Sequence, residues 1–201
     1  MIAILDYGSG NIRSAQRACE KTGADVVVTS DFKTAVAADG LVIPGVGAFG
    51  ACMKGLRAVK GEELIRERLD LGRKILGICV GMQVLFAESD ELLNGERISG
   101  VGVFPQRVEK ISAPVLPHIG WSEIESKSNS GSFAELDGER FYFVHSYAVK
   151  SEVSGATNIG CNYGENFIAA IETDLITATQ FHPEKSGVAG LKLIANWAAS
   201  L

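Results

Sequence analysis

The stretch Lys74-Ile75-Leu76-Gly77-Ile78-Cys79-Val80-Gly81-Met82-Gln83-Val84-Leu85-Phe86 decides the fold. Ile75 to Ile78 is a short apolar run rich in branched residues, the pattern of a buried strand. Met82, Leu85 and Phe86 recur at helical spacing, which predicts a helix just after Cys79. Cys79 stands at the changeover, with Gly77 and Gly81 two residues to either side. That Gly-x-Cys-x-Gly pattern has the form of a nucleophile elbow, with sulfur in place of a serine oxygen. Glycines at both flanks allow a tight strand-to-helix turn, because no side chain obstructs the neighbouring backbone. A thiol there would project into a cleft at a helix start, where unpaired N–H groups favour thiolate. A structural reading competes, since buried cysteines also serve as small hydrophobes. This stretch alone leaves both readings open.

Working outward, the N-terminal half alternates strands with helices. Ile2 to Tyr7, Asp25 to Thr29 and Leu41 to Ile43 read as strands. Helical patterns separate them, from Ile12 to a stop near Gly23, and from Lys33 to Ala38. Helical sequence runs again from Ala51 to Leu71, with a break near Gly61. Such alternation implies crossover connections, and so an open, mainly parallel sheet with helices on both faces. After about Asp90 the text becomes strand-rich. Strands are expected at 101–104, 119–124, 140–149, 156–163, 167–172 and 176–181, with antiparallel hairpins among them. A helix from Val188 to Ala199 closes the chain, and Lys127 to Gly131 reads as an exposed loop. The expectation is α/β, one domain spanning residues 1–201.

Composition narrows the function classes. A net charge of -5 without a basic run argues against nucleic-acid binding. Apolar stretches are strand-sized, so no membrane span is expected, and Met1 to Leu5 lacks the basic start of a signal peptide. Cys19, Cys52, Cys79 and Cys161 are scattered, without Cys-x-x-Cys or a Cys/His spacing suited to zinc. They read as reduced thiols of a cytoplasmic protein, with no structural metal.

Two further motifs bear on the elbow. Gly45-Val46-Gly47-Ala48-Phe49-Gly50 formally matches a dinucleotide fingerprint, but it follows the third strand. Its acidic partner would be Asp70, which falls in helical sequence and not at a strand end. A flexible glycine loop beside a nucleophile is better suited to aiming backbone N–H groups at an oxyanion. Of the three histidines, His118 and His145 read as core or lining residues. His182 precedes Pro183, which favours an extended backbone. Glu184 would then share a face with His182 and could orient its ring, as the acid of a triad does.

Gly77-Ile-Cys79-Val-Gly81-Met-Gln83, the loop Pro44-Gly-Val-Gly47 and Phe181-His182-Pro-Glu184 together resemble the class I (triad) glutamine amidotransferases. Residues 6–11, 43–50, 117–121, 142–147 and 182–186 extend the likeness over nearly the whole chain. They resemble the branch of that family that serves histidine biosynthesis. Val80 stands where leucine is more usual there, and Ser122 where asparagine often follows the tryptophan.

The resemblance implies a flavodoxin-like sheet and a Cys79–His182–Glu184 triad. Val46, Gly47 and Val80 would supply oxyanion donors. Gly47, Gln83, Glu91, Ser146 and Tyr147 would line a glutamine pocket, with Glu91 facing the substrate ammonium. It further implies a heterodimer in which ammonia passes to a (β/α)8-barrel cyclase subunit, with Asn11, Tyr142 and Lys185 near that interface. No cofactor is implied. Other acceptors remain alternatives, in pyridoxal phosphate, anthranilate or purine synthesis. So does a stand-alone cysteine γ-glutamyl hydrolase or peptidase.

Overall fold

The structure, a computed structural model, describes residues 1–126 and 131–201. The expected loop at Lys127 to Gly131 therefore lies outside the described residues except for Gly131, which opens a 3-10 turn. The N-terminal half forms β1 (Ile2–Leu5), α1 (Ile12–Glu20), β2 (Val26–Thr29), α2 (Phe32–Ala37) and β3 (Gly40–Gly45). Then come α3 (Phe49–Ala58), α4 (Gly61–Asp70), β4 (Lys74–Cys79) and the single-turn α5 (Val80–Gln83). The second half contributes β5 (Phe86–Leu93), β6 (Glu96–Ser99), β7 (Phe104–Lys110), β8 (His118–Glu123) and β9 (Arg140–His145). It ends with β10 (Tyr147–Val149), β11 (Thr157–Tyr163), β12 (Glu165–Glu172), β13 (Ile176–Thr179) and α6 (Gly187–Ala199).

One sheet runs β2-β1-β3-β4-β13-β12-β10-β7-β5-β6, with β11 paired to β12. The five strands from β2 to β13 are mutually parallel, and β12 turns the order antiparallel. Apart from Lys74 at the start of β4, strands β1, β3, β4 and β13 are buried along their whole length. This is why β1, β3 and β4 read as unbroken apolar runs and not as alternating ones, while β13 buries Thr177 and Thr179 among its apolar residues. Helix α1 packs with α6, while α2, α3 and α4 form a second group, so each face of the sheet carries a helical layer. Strands β8 and β9 form a separate hairpin over an aromatic core of Phe141, Phe143, Phe167 and Phe181. Among the described residues no helix is long and apolar enough to cross a membrane.

Two local expectations are corrected. The helix after Cys79 stops at Gln83, and Phe86 already begins β5. The carbonyls of Val84, Leu85 and Phe86 are taken by the N–H groups of Val101, Val103 and Gly102, so a tertiary pairing displaces the next helical turn. A single turn sums few peptide dipoles, so it contributes less positive potential than the expected helix would. The strand placed at 101–104 instead begins at Phe104 and runs to Lys110.

A buried arginine ties the sheet edge to its helices. Arg68 on α4 is fully buried and donates to the carbonyls of Ala35, Val36, Ala38, Asp39 and Lys74 at 2.8–3.1 Å. Its planar fork satisfies five backbone acceptors that no other side chain of similar size could reach together. Arg68→Met would leave those carbonyls unpaired in the interior. It is expected to cost about 3 kcal/mol or more in urea unfolding.

Candidate active site

Strand β4 ends at Cys79 with φ 57 and ψ -114, a backbone conformation that a residue with a Cβ adopts only under constraint. The constraint comes from glycines in mutual contact. A Cβ on Gly81 would lie 1.8 Å from the Ile43 carbonyl oxygen, and one on Gly45 would lie 2.4 Å from the Gly81 nitrogen. A Cβ on Gly77 would meet the Gly81 carbonyl oxygen at 2.8 Å. The ends of β3 and β4 and the turn between β4 and α5 are therefore locked backbone to backbone. Cys79 itself absorbs the strain, with its thiol at the cleft.

His182 follows β13, the neighbour of β4. Its Nδ1 lies 2.9 Å from Glu184 Oε1, so Nδ1–H donates to the carboxylate and Nε2 is left for the thiol side. The reason differs from the expected one. His182 is extended, with φ -102 and ψ 91, but Glu184 sits in a 3-10 turn over Pro183–Lys185 that curls its side chain back onto the ring. Both side chains are almost fully buried, at 4% and 2% exposure. Burial alone would lower the His182 pKa. The hydrogen bonds and negative charges of Cys79 and Glu184 outweigh that and raise it to about 10. The His182 N–H donates to the Tyr142 carbonyl, and Ser186 Oγ bridges the Tyr142 N–H and the His182 carbonyl. The β9 strand thus fixes the histidine's backbone.

The loop after β3 borders the same cleft. Tyr7 donates its hydroxyl to the Pro44 carbonyl at 2.5 Å. Ser9 Oγ accepts the Val46 N–H at 3.2 Å and donates to the Val46 carbonyl at 2.9 Å. Cys52 Sγ donates to that same carbonyl at 3.3 Å. Both backbone polar groups of Val46 are thereby engaged by Ser9 and Cys52, although the Val46 side chain is exposed. Glu91 Oε2 accepts the Phe49 N–H at 2.7 Å, which anchors the start of α3 to β5.

The cleft encloses about 630 Å³. Of the residues singled out from the sequence, Asn11, Val46, Gly47, Cys79, Val80, Gln83, Glu91, Ser146, Tyr147, His182 and Lys185 all line it. Glu184 and Tyr142 are not among its lining residues; Glu184 accepts from His182 Nδ1, and the Tyr142 carbonyl accepts the His182 backbone N–H. Sequence reading missed Ser9 and Gln180. His145, expected as a core or lining residue, does line the cleft. Gln180 carries no local signal, since its partners Gln83 and Cys79 lie 97 and 101 residues away.

The chain matches the model of the family "Glutamine amidotransferase class-I" over residues 3–200. It is 52% identical over 205 residues to "Imidazole glycerol phosphate synthase subunit HisH" of Corynebacterium diphtheriae, covering 98% of this chain and 97% of that protein. The protein of the same name from Thermobifida fusca is 50% identical over 209 residues, covering 100% and 98%. A solved structure described as a glutamine amidotransferase superposes with a TM-score of 0.77 at 18% identity, covering 99% of this chain and 97% of that one, a likeness of fold. With a family model that spans almost the whole sequence and relatives half identical along their full length, the chain belongs to the class-I glutamine amidotransferases.

Proposed function

We propose that this chain is the glutaminase subunit of an imidazole glycerol phosphate synthase. It would release ammonia from glutamine and hand it to a separate cyclase. The observation that carries the reading is the convergence of Cys79, His182 and Glu184 at one cleft in a chain half identical to the HisH proteins.

Cys79, as thiolate, attacks the side-chain amide carbon of glutamine. His182 Nε2 takes the thiol proton and returns it to the leaving nitrogen, while Glu184 holds Nδ1–H and so the tautomer. Ammonia departs, a γ-glutamyl thioester remains, and water cleaves it to glutamate. The developing oxyanion is met by the Val80 N–H and by a donor from the Val46–Gly47 loop. Gln83, Ser146 and Tyr147 shape the pocket for the amino-acid end, and the second carboxylate oxygen of Glu91 faces the substrate ammonium.

Ammonia freed into water would be protonated and lost, so a sheltered acceptor is needed. Ile119, Trp121 and Val188 carry exposed apolar side chains; Ile119 pairs in register with the cleft-lining Val144, Trp121 and Val188 share a second hollow with Ser186, and Lys185 stands at the cleft wall. A patch of that composition suits docking of a partner protein. The partner is a (β/α)8-barrel cyclase in the cytoplasm, and Asn11, Tyr142 and Lys185 lie at the contact. The cyclase joins the ammonia to a phosphoribulosyl-formimino carboxamide nucleotide, giving imidazole glycerol phosphate and an aminoimidazole carboxamide ribotide. The residues from Met1 to Leu201 act as one glutaminase domain.

The test is glutamate release from glutamine by the chain alone, and then with a cyclase subunit and its nucleotide, Cys79→Ala serving as blank. Strong stimulation by the two together is expected. Equal turnover without the partner would remove the regulated-subunit reading. Absence of turnover in both conditions would remove the pathway.

A further inference from the structure

A series of buried and part-buried hydrogen bonds runs from β8 to the Cys79 sulfur, with donors meeting from both sides on one fixed point. The Tyr147 carbonyl can only accept. His145 Nδ1 lies 3.0 Å from it and so carries the proton, which leaves His145 Nε2 as an acceptor. His118 Nδ1, at 3.1 Å from that Nε2, must then donate. His118 Nε2 is left to accept from Ser122 Oγ at 2.9 Å. Burial lowers the pKa of His118 to about 4. Burial, aided by the neighbouring histidines and opposed by the bond to Tyr147, lowers that of His145 to about 3. Both rings are neutral near pH 7, so the donors run in one direction from Ser122 as far as the Tyr147 carbonyl.

The same Tyr147 carbonyl accepts from Gln83 Nε2 at 3.0 Å. The other N–H of that amide goes to Gln180 Oε1 at 2.8 Å. With its oxygen occupied, the Gln180 amide cannot flip, because a flipped amide would set two NH2 groups against each other. Its Nε2 is thereby turned to Cys79 Sγ, at 3.8 Å. Gln180 is 1% exposed. The titratable groups facing Cys79 are His182, with Glu184 behind it, and the buried Tyr7 and Cys52. Gln180 is a neutral donor among them.

We propose that Gln180 is a further catalytic residue, which donates a hydrogen bond to the Cys79 thiolate. Gln83 is the positioning residue that holds its amide in the donating orientation, and His145, backed by His118 and Ser122, holds the Tyr147 carbonyl on which Gln83 rests. The inference rests on Cys79 being the nucleophile. It extends that reading by linking the exposed β8 strand, which carries Trp121, to the sulfur.

The experiment is alkylation of Cys79 by iodoacetamide from pH 5 to 10 on the full chain, read peptide by peptide by mass spectrometry. Gln180→Glu keeps the shape and the acceptor for Gln83 but removes the donor; Gln180→Met removes both. Each is expected to move the Cys79 midpoint up by about one pH unit and to slow its alkylation near pH 7 about tenfold. Cys19, Cys52 and Cys161 should be unaffected. Unchanged midpoints in both variants would overturn the role of Gln180. A second measurement, long-range nitrogen-15 NMR of the histidines, should find His118 and His145 both protonated on Nδ1, and a proton on Nε2 of either would overturn the positioning series. Alkylation needs no glutamine turnover. A chain that fails to hydrolyse glutamine both alone and with a cyclase subunit and its nucleotide, yet shows the shift, would therefore lose the glutaminase reading and keep this one.

Discussion

Replacing Cys79 with serine is expected to cut glutamine turnover at least about a thousandfold while the chain stays folded. The geometry would survive, because the glycines around Cys79, not its sulfur, set the turn. The chemistry would not. An alkoxide is far harder to form than a thiolate, and His182 is held ready to pair with a sulfur anion. The site's strain gives the same residue a second readout. At an ordinary strand position glycine is about 0.5–1 kcal/mol less favourable than alanine. At φ 57 any residue with a Cβ meets a cost on the order of 1–3 kcal/mol, which glycine escapes. Cys79→Gly is therefore expected to unfold at a higher urea concentration than Cys79→Ala, the reverse of the usual order. The pH dependence follows from His182. Its pKa in the folded chain, about 10, lies above its ordinary value of about 6.5. Its contribution to stability is thus complete below about pH 6.5 and is lost as pH rises through about 10. In Cys79→Ala the ring loses its sulfur partner, and its NMR midpoint should drop. An unmoved midpoint would mean that the thiol and the imidazole are not coupled.

What could be read in advance depended on how local each cause is. Strands β1, β3 and β4 announce themselves because a strand buried on both faces must be apolar throughout. The elbow was legible because its glycines and cysteine fall within five residues. The hairpin of β5 and β6 carried a signal that sequence reading passed over, Asn94-Gly95, both of which adopt positive φ as a tight two-residue turn requires. The helical reading of residues 82–86 failed because periodicity cannot see that Val101 to Val103 compete for the same carbonyls. The pairing of His182 with Glu184 was reached by an extended-chain argument, whereas a 3-10 turn makes it. Ser9 and Gln180 lay beyond reach. A serine or glutamine is ordinary text, and each acquires its place only when a distant segment folds against it.

Ser9→Ala is expected to raise glutamine turnover by the isolated chain about tenfold. For Val46 to serve the oxyanion its N–H must face the cleft, yet that N–H donates to Ser9 Oγ at 3.2 Å. The same hydroxyl returns a hydrogen bond to the Val46 carbonyl, so one side chain clamps both peptide units that flank Val46. Gly47 gives the loop freedom to turn. It adopts φ +85, and a Cβ built on it would meet nothing within 4 Å. The neighbouring Gly45, by contrast, is pinned against Gly81. Rotation of the Gly45–Val46 peptide, which carries that N–H, is opposed chiefly by the Ser9 bonds and the weaker Cys52 thiol contact at the Val46 carbonyl. Each such bond is worth a net ~0.5–1.5 kcal/mol. Removing the hydroxyl should thus enlarge the competent population severalfold to about tenfold, and turnover follows that population. A bound partner that already favours the turned peptide would mask the substitution. The gain should therefore shrink once the proposed cyclase partner and its nucleotide are saturating. A Ser9→Ala chain with unchanged solitary turnover would show that the Ser9 clamp does not set the resting rate.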